Sequence, residues 1–359
     1  MKFACRIASR LLVNFRPGAV QPRGGPFRRG NAMTCHFRRR YLAVAAAALA
    51  AALTSGAGSA QTYPDRNVRI IVPYAPGGPT DITGRLLSLK LSEQLGKQFY
   101  VENVPGVGGN IGMARAAQAA PDGYTILFAA SPLAVAPVLY EKVPFDPVKD
   151  FEPVTLAVKS PALLTVHPSL PAKSVKELVA LINANPGKYA YASPGIATPP
   201  HLLGELFRLS LKLDIVHVPF NSGGLAIGSA VAGHTPISFG ASAPAVPHVQ
   251  DGKLRALALT GKKRSPGIPD VPTMSEAGYP AIEGEAWFAA VVPAGTPKDI
   301  VALLHREIVK ALSHPDVKDH VTKLGFESVG STPAELAETI KSDAVKWGKV
   351  IRDAGIKPR

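Results

Sequence analysis

The chain has 359 residues, 46% hydrophobic and 18% charged, with a mean hydropathy of +0.12; this excludes a disordered or fibrous polymer and is long enough for two ordinary cores. Its formal charge of +14 points toward nucleic acid only until it is divided. Ten Lys or Arg and no acid lie in residues 1–60, so residues 61–359 carry only +4, and no nucleic-acid partner is expected.

The basic segment reads as an export leader. Arg38-Arg39-Arg40 forms a positive start, residues 41–53 an apolar stretch too short for a comfortable membrane span, and Gly58-Ser59-Ala60 a small-residue cleavage site. Met33 would open a signal of ordinary length, so residues 1–32 are expected to lie upstream of the true start, with a genuine long leader as the alternative. General secretion is favoured over twin-arginine export, because no fuller pattern surrounds Arg38-Arg39. Both cysteines, Cys5 and Cys35, lie in this leader. The exported chain would then hold no disulfide, Cys nucleophile or thiolate metal site, and a periplasmic product without a cofactor is expected.

From residue 68 onward, short β-branched runs alternate with helical periodicity. Strands are predicted at 68–72, 99–102 and 124–129, with helices at 82–95 and 110–118, the second capped by Asn110. Apolar runs at 154–158 and 163–166 follow, then a helix at 174–184 closed by Asn185-Pro186-Gly187. The alternation continues through strands at 189–192, 214–218, 236–239 and 254–260, with helices at 202–209 and 225–231. An irregular Pro/Gly-rich stretch at 261–280 leads to a strand at 286–292 and helices at 297–312, 315–324 and 333–354. This rhythm predicts an α/β protein of two lobes, each a mainly parallel sheet flanked by helices, with a cleft between them. One lobe takes residues 61–160 and 286–359, the other 161–285.

Two loops stand out. Pro73-Tyr74-Ala75-Pro76-Gly77-Gly78-Pro79-Thr80-Asp81 joins the first strand to its helix, and Ser193-Pro194-Gly195-Ile196-Ala197-Thr198-Pro199-Pro200-His201 does the same later; both contain Pro-Gly-x-x-Thr. A helix N-terminus leaves backbone N–H groups unpaired at the positive end of a dipole, which suits an anion. In parallel sheets ligands sit beyond the carboxyl ends of strands. The two loops, with the strand end at Ser131, are expected to face each other across the cleft and hold one small acid.

The combination of Val72 to Asp81, Glu102-Asn103-Val104-Pro105-Gly106-Val107-Gly108-Gly109-Asn110-Ile111-Gly112 and Ala120-Pro121-Asp122-Gly123-Tyr124-Thr125 resembles the Bug family, the periplasmic solute-binding receptors of tripartite tricarboxylate transporters. Phe145-Asp146-Pro147, Asn185-Pro186-Gly187, Lys253 to Ala258, Asp270-Val271-Pro272-Thr273 and Pro293 to Pro297 extend the resemblance over residues 62–359. It implies a type II periplasmic-binding-protein fold, expected monomeric, closing on a small organic acid or related amide. It also implies the permease subunits of such a transporter as partners, with a sensor kinase as the alternative recipient. Carried onto this chain, the ligand-binding positions are Tyr74, Ala75, Gly78, Thr80 and Asp81 in the first loop and Ser193, Gly195, Thr198 and His201 in the second. Ser131, Phe220 and Asn221 would read the rest of the ligand. The chain departs from the family at Ala197, where a glycine is usual, at Phe220-Asn221-Ser222, where Tyr-Lys-Gly is usual, and at Ala136, where Asn is frequent. These changes imply a less polar pocket, suited to a monocarboxylate, an amide or an aromatic acid.

Each position also has a structural reading. Thr80 and Thr198 would serve as helix caps, Asp81 as a first-turn acid and His201 as a packed side chain, while Trp287 and Phe288 read as core. His167, His217, His234 and His248 lack metal-ligand spacing. The glycines of 105–112 lack the lysine of a phosphate loop. A hydrolase or isomerase using His201 or Asp81 as acid or base is the competing reading; no nucleophile elbow, Ser-x-x-Lys or His-Glu-x-x-His accompanies them.

Overall fold

The computed structural model describes residues 63–358, so the expected leader, its cleavage site and both cysteines lie outside the described residues. Residues Gln61–Arg359 form one compact unit. It begins with β1 (Val68–Val72), α1 (Pro79–Leu95), β2 (Phe99–Asn103), α2 (Asn110–Ala117), β3 (Thr125–Ala130) and α3 (Pro132–Leu139). β1 lies between β2 and β3 and runs parallel to both. It is apolar at every position but Arg69, which pairs with Glu102, because helices cover both its faces. Leu87 and Leu91 of α1 pack on one side, Met113 and Leu133 on the other.

The second trio comes from α4 (Val175–Asn183), β5 (Tyr189–Ser193), α5 (Pro199–Ser210), β6 (Ile215–Pro219), α6 (Gly223–Val231), β7 (Ile237–Ala241) and α7 (Ser242–Gln250). β5 is central and parallel to both β6 and β7. Between the trios runs β4 (Phe151–Val166), one strand where the sequence suggested two apolar runs. Its first part pairs antiparallel with β9 (Glu285–Pro293), its second with β7 and with β8 (Arg255–Leu259). The expected parallel trios are thus joined by antiparallel strands into one mixed sheet, and the boundary expected at 160/161 falls inside β4.

The register fixes where the strand ends go. Ala130, the last residue of β3, lies opposite Phe288, which lies opposite Val158 of β4. Ala241, the last of β7, lies opposite Ala162. The carboxyl ends of the two trios therefore approach the same stretch of β4 from opposite directions.

The chain closes with α8 (Lys298–Ser313), α9 (Pro315–Lys323), β10 (Glu327–Ser328) and α10 (Pro333–Asp353). α10 starts with a reciprocal cap, Thr332 Oγ1 accepting from the Glu335 N–H at 3.2 Å and Glu335 accepting from the Thr332 N–H at 2.8 Å. Its Leu336 and Ile340 join the core beneath the first trio, whereas Trp347, Val350 and Ile351 join the core of the second. One helix thus straps both halves together.

Candidate functional site

The first loop leaves β1 at Val72 and enters α1 at Pro79. Gly78 is the cap, at φ −78° and ψ 166°, so Thr80 lies inside the first turn and does not cap as expected. Pro79 has no N–H, and the first intrahelical bond runs from the Ile82 N–H to Gly78 O at 3.0 Å. The N–H groups of Gly78, Thr80 and Asp81 therefore have no acceptor in the helix. The loop is shaped from inside by the buried Asp81 carboxylate. It accepts from the Gly77 N–H (2.9 Å), from Arg85 Nε (3.1 Å) and from Asn103 Nδ2 (2.9 Å). Burial would raise its pKa, but the bonds from Arg85, Gly77 and Asn103 outweigh it and hold the carboxyl below its ordinary range. Asn103 Nδ2 also reaches Tyr74 O at 3.1 Å. Ala75 is exposed, and the Tyr74 hydroxyl is buried beside the Ala130 backbone without a hydrogen bond of normal geometry.

The neighbouring strand exits behave alike. After β2, Gly109 rather than Asn110 caps α2, at φ 101°, so the expected Asn110 cap is absent; Asn110 is buried with neither amide atom bonded. After β3, Ser131 precedes α3 with its N–H on Trp287 O at 2.9 Å and its hydroxyl buried and unpartnered. Among the described residues, five carry buried side-chain polar atoms without a partner. Four of them, Tyr74, Thr83, Asn110 and Ser131, follow β1, β2 or β3. Each such atom costs about 1–3 kcal/mol, so this clustering marks one end of the first trio as built for something other than stability.

The second loop differs. Thr198 caps α5 in position only, because its Oγ1 donates to Gly195 O at 2.8 Å and makes no cap bond. Pro199 and Pro200 remove the next two N–H groups. Three of the remaining donors turn inward: Gly195 N–H to Ser193 Oγ (3.3 Å), Ala197 N–H to His201 Nδ1 (2.8 Å) and Thr198 N–H to Gly195 O (3.4 Å). Equal donation of amides by both loops is therefore not what the geometry offers. Ala197 sits at φ +63°, a left-handed backbone that favours glycine. Phe220 joins the loop through its N–H on Ser193 O at 3.0 Å, and Asn221 next to it is exposed.

Beneath this loop lies a network that motif reasoning passed over. His201, buried as packing predicted, stacks on His217 with ring centroids 3.9 Å apart. His217 Nε2 meets Ser193 Oγ at 2.7 Å. Glu205 accepts from the Tyr191 hydroxyl (2.6 Å) and from Arg208 Nη2 (2.6 Å) and Nε (2.8 Å). Burial pushes the His217 pKa down from 6.5 to about 4, against the opposing pull of the Glu205 charge. The helical spacing of His201, Glu205 and Arg208 was the available signal, since all three share one face of α5.

Where the halves meet, Ser131, Ala197, Pro199, Leu202, Glu285 and Trp347 line a cavity of about 20 Å³, enough for one water molecule. Glu285 is neutralised by Lys159 at 2.8 Å. Ser131 and the second loop, paired from sequence alone, thus share one space. A wider open groove of about 540 Å³ lies behind the second loop, over Glu205, Arg208 and His217. Its polar floor is already hydrogen-bonded. No helix among the described residues is long and apolar enough to cross a membrane.

Two parallel trios with their carboxyl ends directed at a shared strand, one lined with unpaired amides, define a solute-binding α/β protein. The chain belongs to the tripartite tricarboxylate transporter family receptors, whose family model matches residues 83–356. It is 36% identical to protein BugT of Bordetella pertussis over 320 residues, which are 89% of this chain and 98% of BugT. Among solved structures it is similar to Rhodopseudomonas palustris Rpa4515 with adipate, at 30% identity and a TM-score of 0.69, covering 83% of this chain and all of that one. It is also similar to MatC from the same organism with bound malate, at 33% identity and a TM-score of 0.66, covering 80% of this chain and all of MatC.

Proposed function

We propose that this protein is a periplasmic receptor that takes a small carboxylate between two lobes, 61–160 with 286–359 and 161–285, and delivers it to the membrane subunits of a tripartite tricarboxylate-type transporter. The observation that carries this reading is the set of unpaired N–H groups at Gly78, Thr80 and Asp81, placed at strand ends that point toward those of the other half. An acid head group seated there meets three helix N-termini, those of α1, α2 and α3, each with its positive dipole end. Tyr74, Ala75, Gly78, Thr80 and Ser131 form the anchoring side. Asp81 acts by shaping the loop, because a carboxylate already holding three donors has little left for a ligand. Ser193, Gly195, Thr198, His201, Phe220 and Asn221 form the covering side. Adipate in one relative and malate in another support a carboxylate ligand.

The hydrolase or isomerase reading requires a free acid or base. Asp81 is held ionised by Arg85, and His201 Nδ1 is occupied by the Ala197 N–H, which favours binding over turnover. Delivery to a sensor kinase in place of a permease leaves the same ligand site. Calorimetry of protein stripped of co-purified ligand, titrated with mono- and dicarboxylates and their amides, tests the proposal. Saturable one-site binding with the acid recovered unchanged is expected; no heat with any carboxylate would refute it. Delivery is tested by co-purification with candidate permease subunits in the presence of that acid.

A further inference from the structure

We propose that Asn110 is the specificity-determining side chain of the acid site, and that it selects carboxylates bearing a neighbouring hydrogen-bond donor, a hydroxyl or a carboxamide. This rests on the carboxylate-receptor reading above and names the class of acid within it.

Asn110 performs no structural task that its position would suggest. As the first residue of α2 it could have capped the helix, but Gly109 holds that position at φ 101° and no side chain bonds the first turn. The amide is 5% exposed, and neither Nδ2 nor Oδ1 has a hydrogen-bond partner. Because both atoms are unpaired, the conclusion is the same whichever way the amide is turned. Leaving both unmet is costly, and such groups in a folded protein call for a ligand, a water or an ion.

Its location favours the ligand. A Cβ placed on Gly109 would lie 3.1 Å from Tyr74 Cε1 and 3.2 Å from Pro73 O, so the start of α2 rests on the exit of β1. Ser131, on the other side of β1, carries another buried and unpartnered polar group of this strand end, as do Tyr74 and Thr83. A carboxylate can only accept hydrogen bonds. It would satisfy Asn110 Nδ2, the Ser131 hydroxyl and the amides of the first loop, and would leave Asn110 Oδ1 unmet. An acid that also carries an O–H or N–H supplies the donor that Asn110 Oδ1 lacks. A site that hydrogen-bonds a ligand hydroxyl rejects the analogue lacking it more strongly than an apolar pocket rejects an extra methylene.

The test compares wild type with Asn110→Leu, which keeps the branched side-chain shape and removes the amide. Thermal unfolding is measured on ligand-stripped protein. Calorimetry uses three pairs of probes: malate and succinate, succinamate and succinate, mandelate and phenylacetate. The inference predicts that wild type prefers the donor-bearing member of at least one pair by tenfold or more. In Asn110→Leu that ratio falls to near one, and the ligand-free melting temperature is unchanged or higher. A melting temperature lowered by several degrees with the preference intact would make Asn110 a structural residue and overturn the inference. Wild type binding these acids without preference would overturn it too, leaving the receptor reading standing. Wild type binding no carboxylate would remove the receptor reading and this inference together.

Discussion

The two Pro-Gly-x-x-Thr loops are close in sequence and unlike in hydrogen bonding. In Pro73–Asp81 a glycine caps the helix, a single proline follows, and of the loop's amides the internal carboxylate takes only the Gly77 N–H, leaving those of Gly78, Thr80 and Asp81 unpaired. In Ser193–His201 two prolines delete donors, and serine, histidine and a backbone carbonyl consume the N–H groups of Gly195, Ala197 and Thr198. The first loop keeps amides open for the proposed anion, whereas the second spends most of its own on holding its shape. Equal motifs therefore do not mean equal roles, because a donor's availability depends on side chains four or more residues away, Asp81 and His201, and on where proline falls.

Breaking the first loop should have the larger effect. Asp81→Ala removes the acceptor of Gly77, Asn103 and Arg85 in a buried setting and should cost about 2–3 kcal/mol of stability, measured by chemical unfolding, with acid binding lost in parallel. Because folding lowers the Asp81 pKa, its contribution is present above the ordinary carboxyl value of 3.8 and is lost as pH falls below it. Breaking the second loop is expected to matter less for binding. His201→Ala leaves the Ala197 N–H without its acceptor and should cost about 1–2 kcal/mol in the same assay, while weakening acid binding less than Asp81→Ala does.

The histidine stack adds a pH signature confined to the second loop. Folding favours neutral His217, so the unfolded chain binds the proton more tightly and stability rises with pH between about 4 and 6.5. His217→Gln, which keeps a hydrogen-bonding partner for Ser193, should flatten denaturation midpoints across that window. The smallest effect is expected at Ala197. Its left-handed backbone costs about 1–2 kcal/mol and glycine's extra chain entropy about 0.5–1, so Ala197→Gly should raise stability by about 0.5–1 kcal/mol in chemical unfolding.

Much of this was legible in the sequence. β1, β2, β3, β5 and β6 showed as apolar runs ending in Pro/Gly turns, and the long helices showed by periodicity. α3 and α7 were not predicted, because Pro137 and Pro247 lie inside them and read as breakers. β4 read as two runs because Lys159-Ser160-Pro161 interrupts its apolar pattern; there Pro161 lies opposite Glu285 and register shifts absorb the irregularity upstream. At the site, loop positions followed from turn chemistry, but hydrogen-bond occupancy did not. Asn110 looked like a cap because Asn often caps; that Gly109 takes the role depends on a left-handed backbone that no residue type states. The Ser193–His217 bond joins residues 24 apart in the chain, beyond any local pattern.

The unequal roles of the two loops can be measured with one carboxylate and three proteins. Gly78 already has backbone angles that proline accepts, so Gly78→Pro deletes one donor of the first loop, while Thr198→Ala deletes a hydroxyl of the second. Titrated beside wild type, Gly78→Pro should weaken binding about 10- to 100-fold, the value of one hydrogen bond to a charged group, and Thr198→Ala by less than about threefold. Equal losses, or a larger loss at Thr198, would contradict anchoring by the first loop.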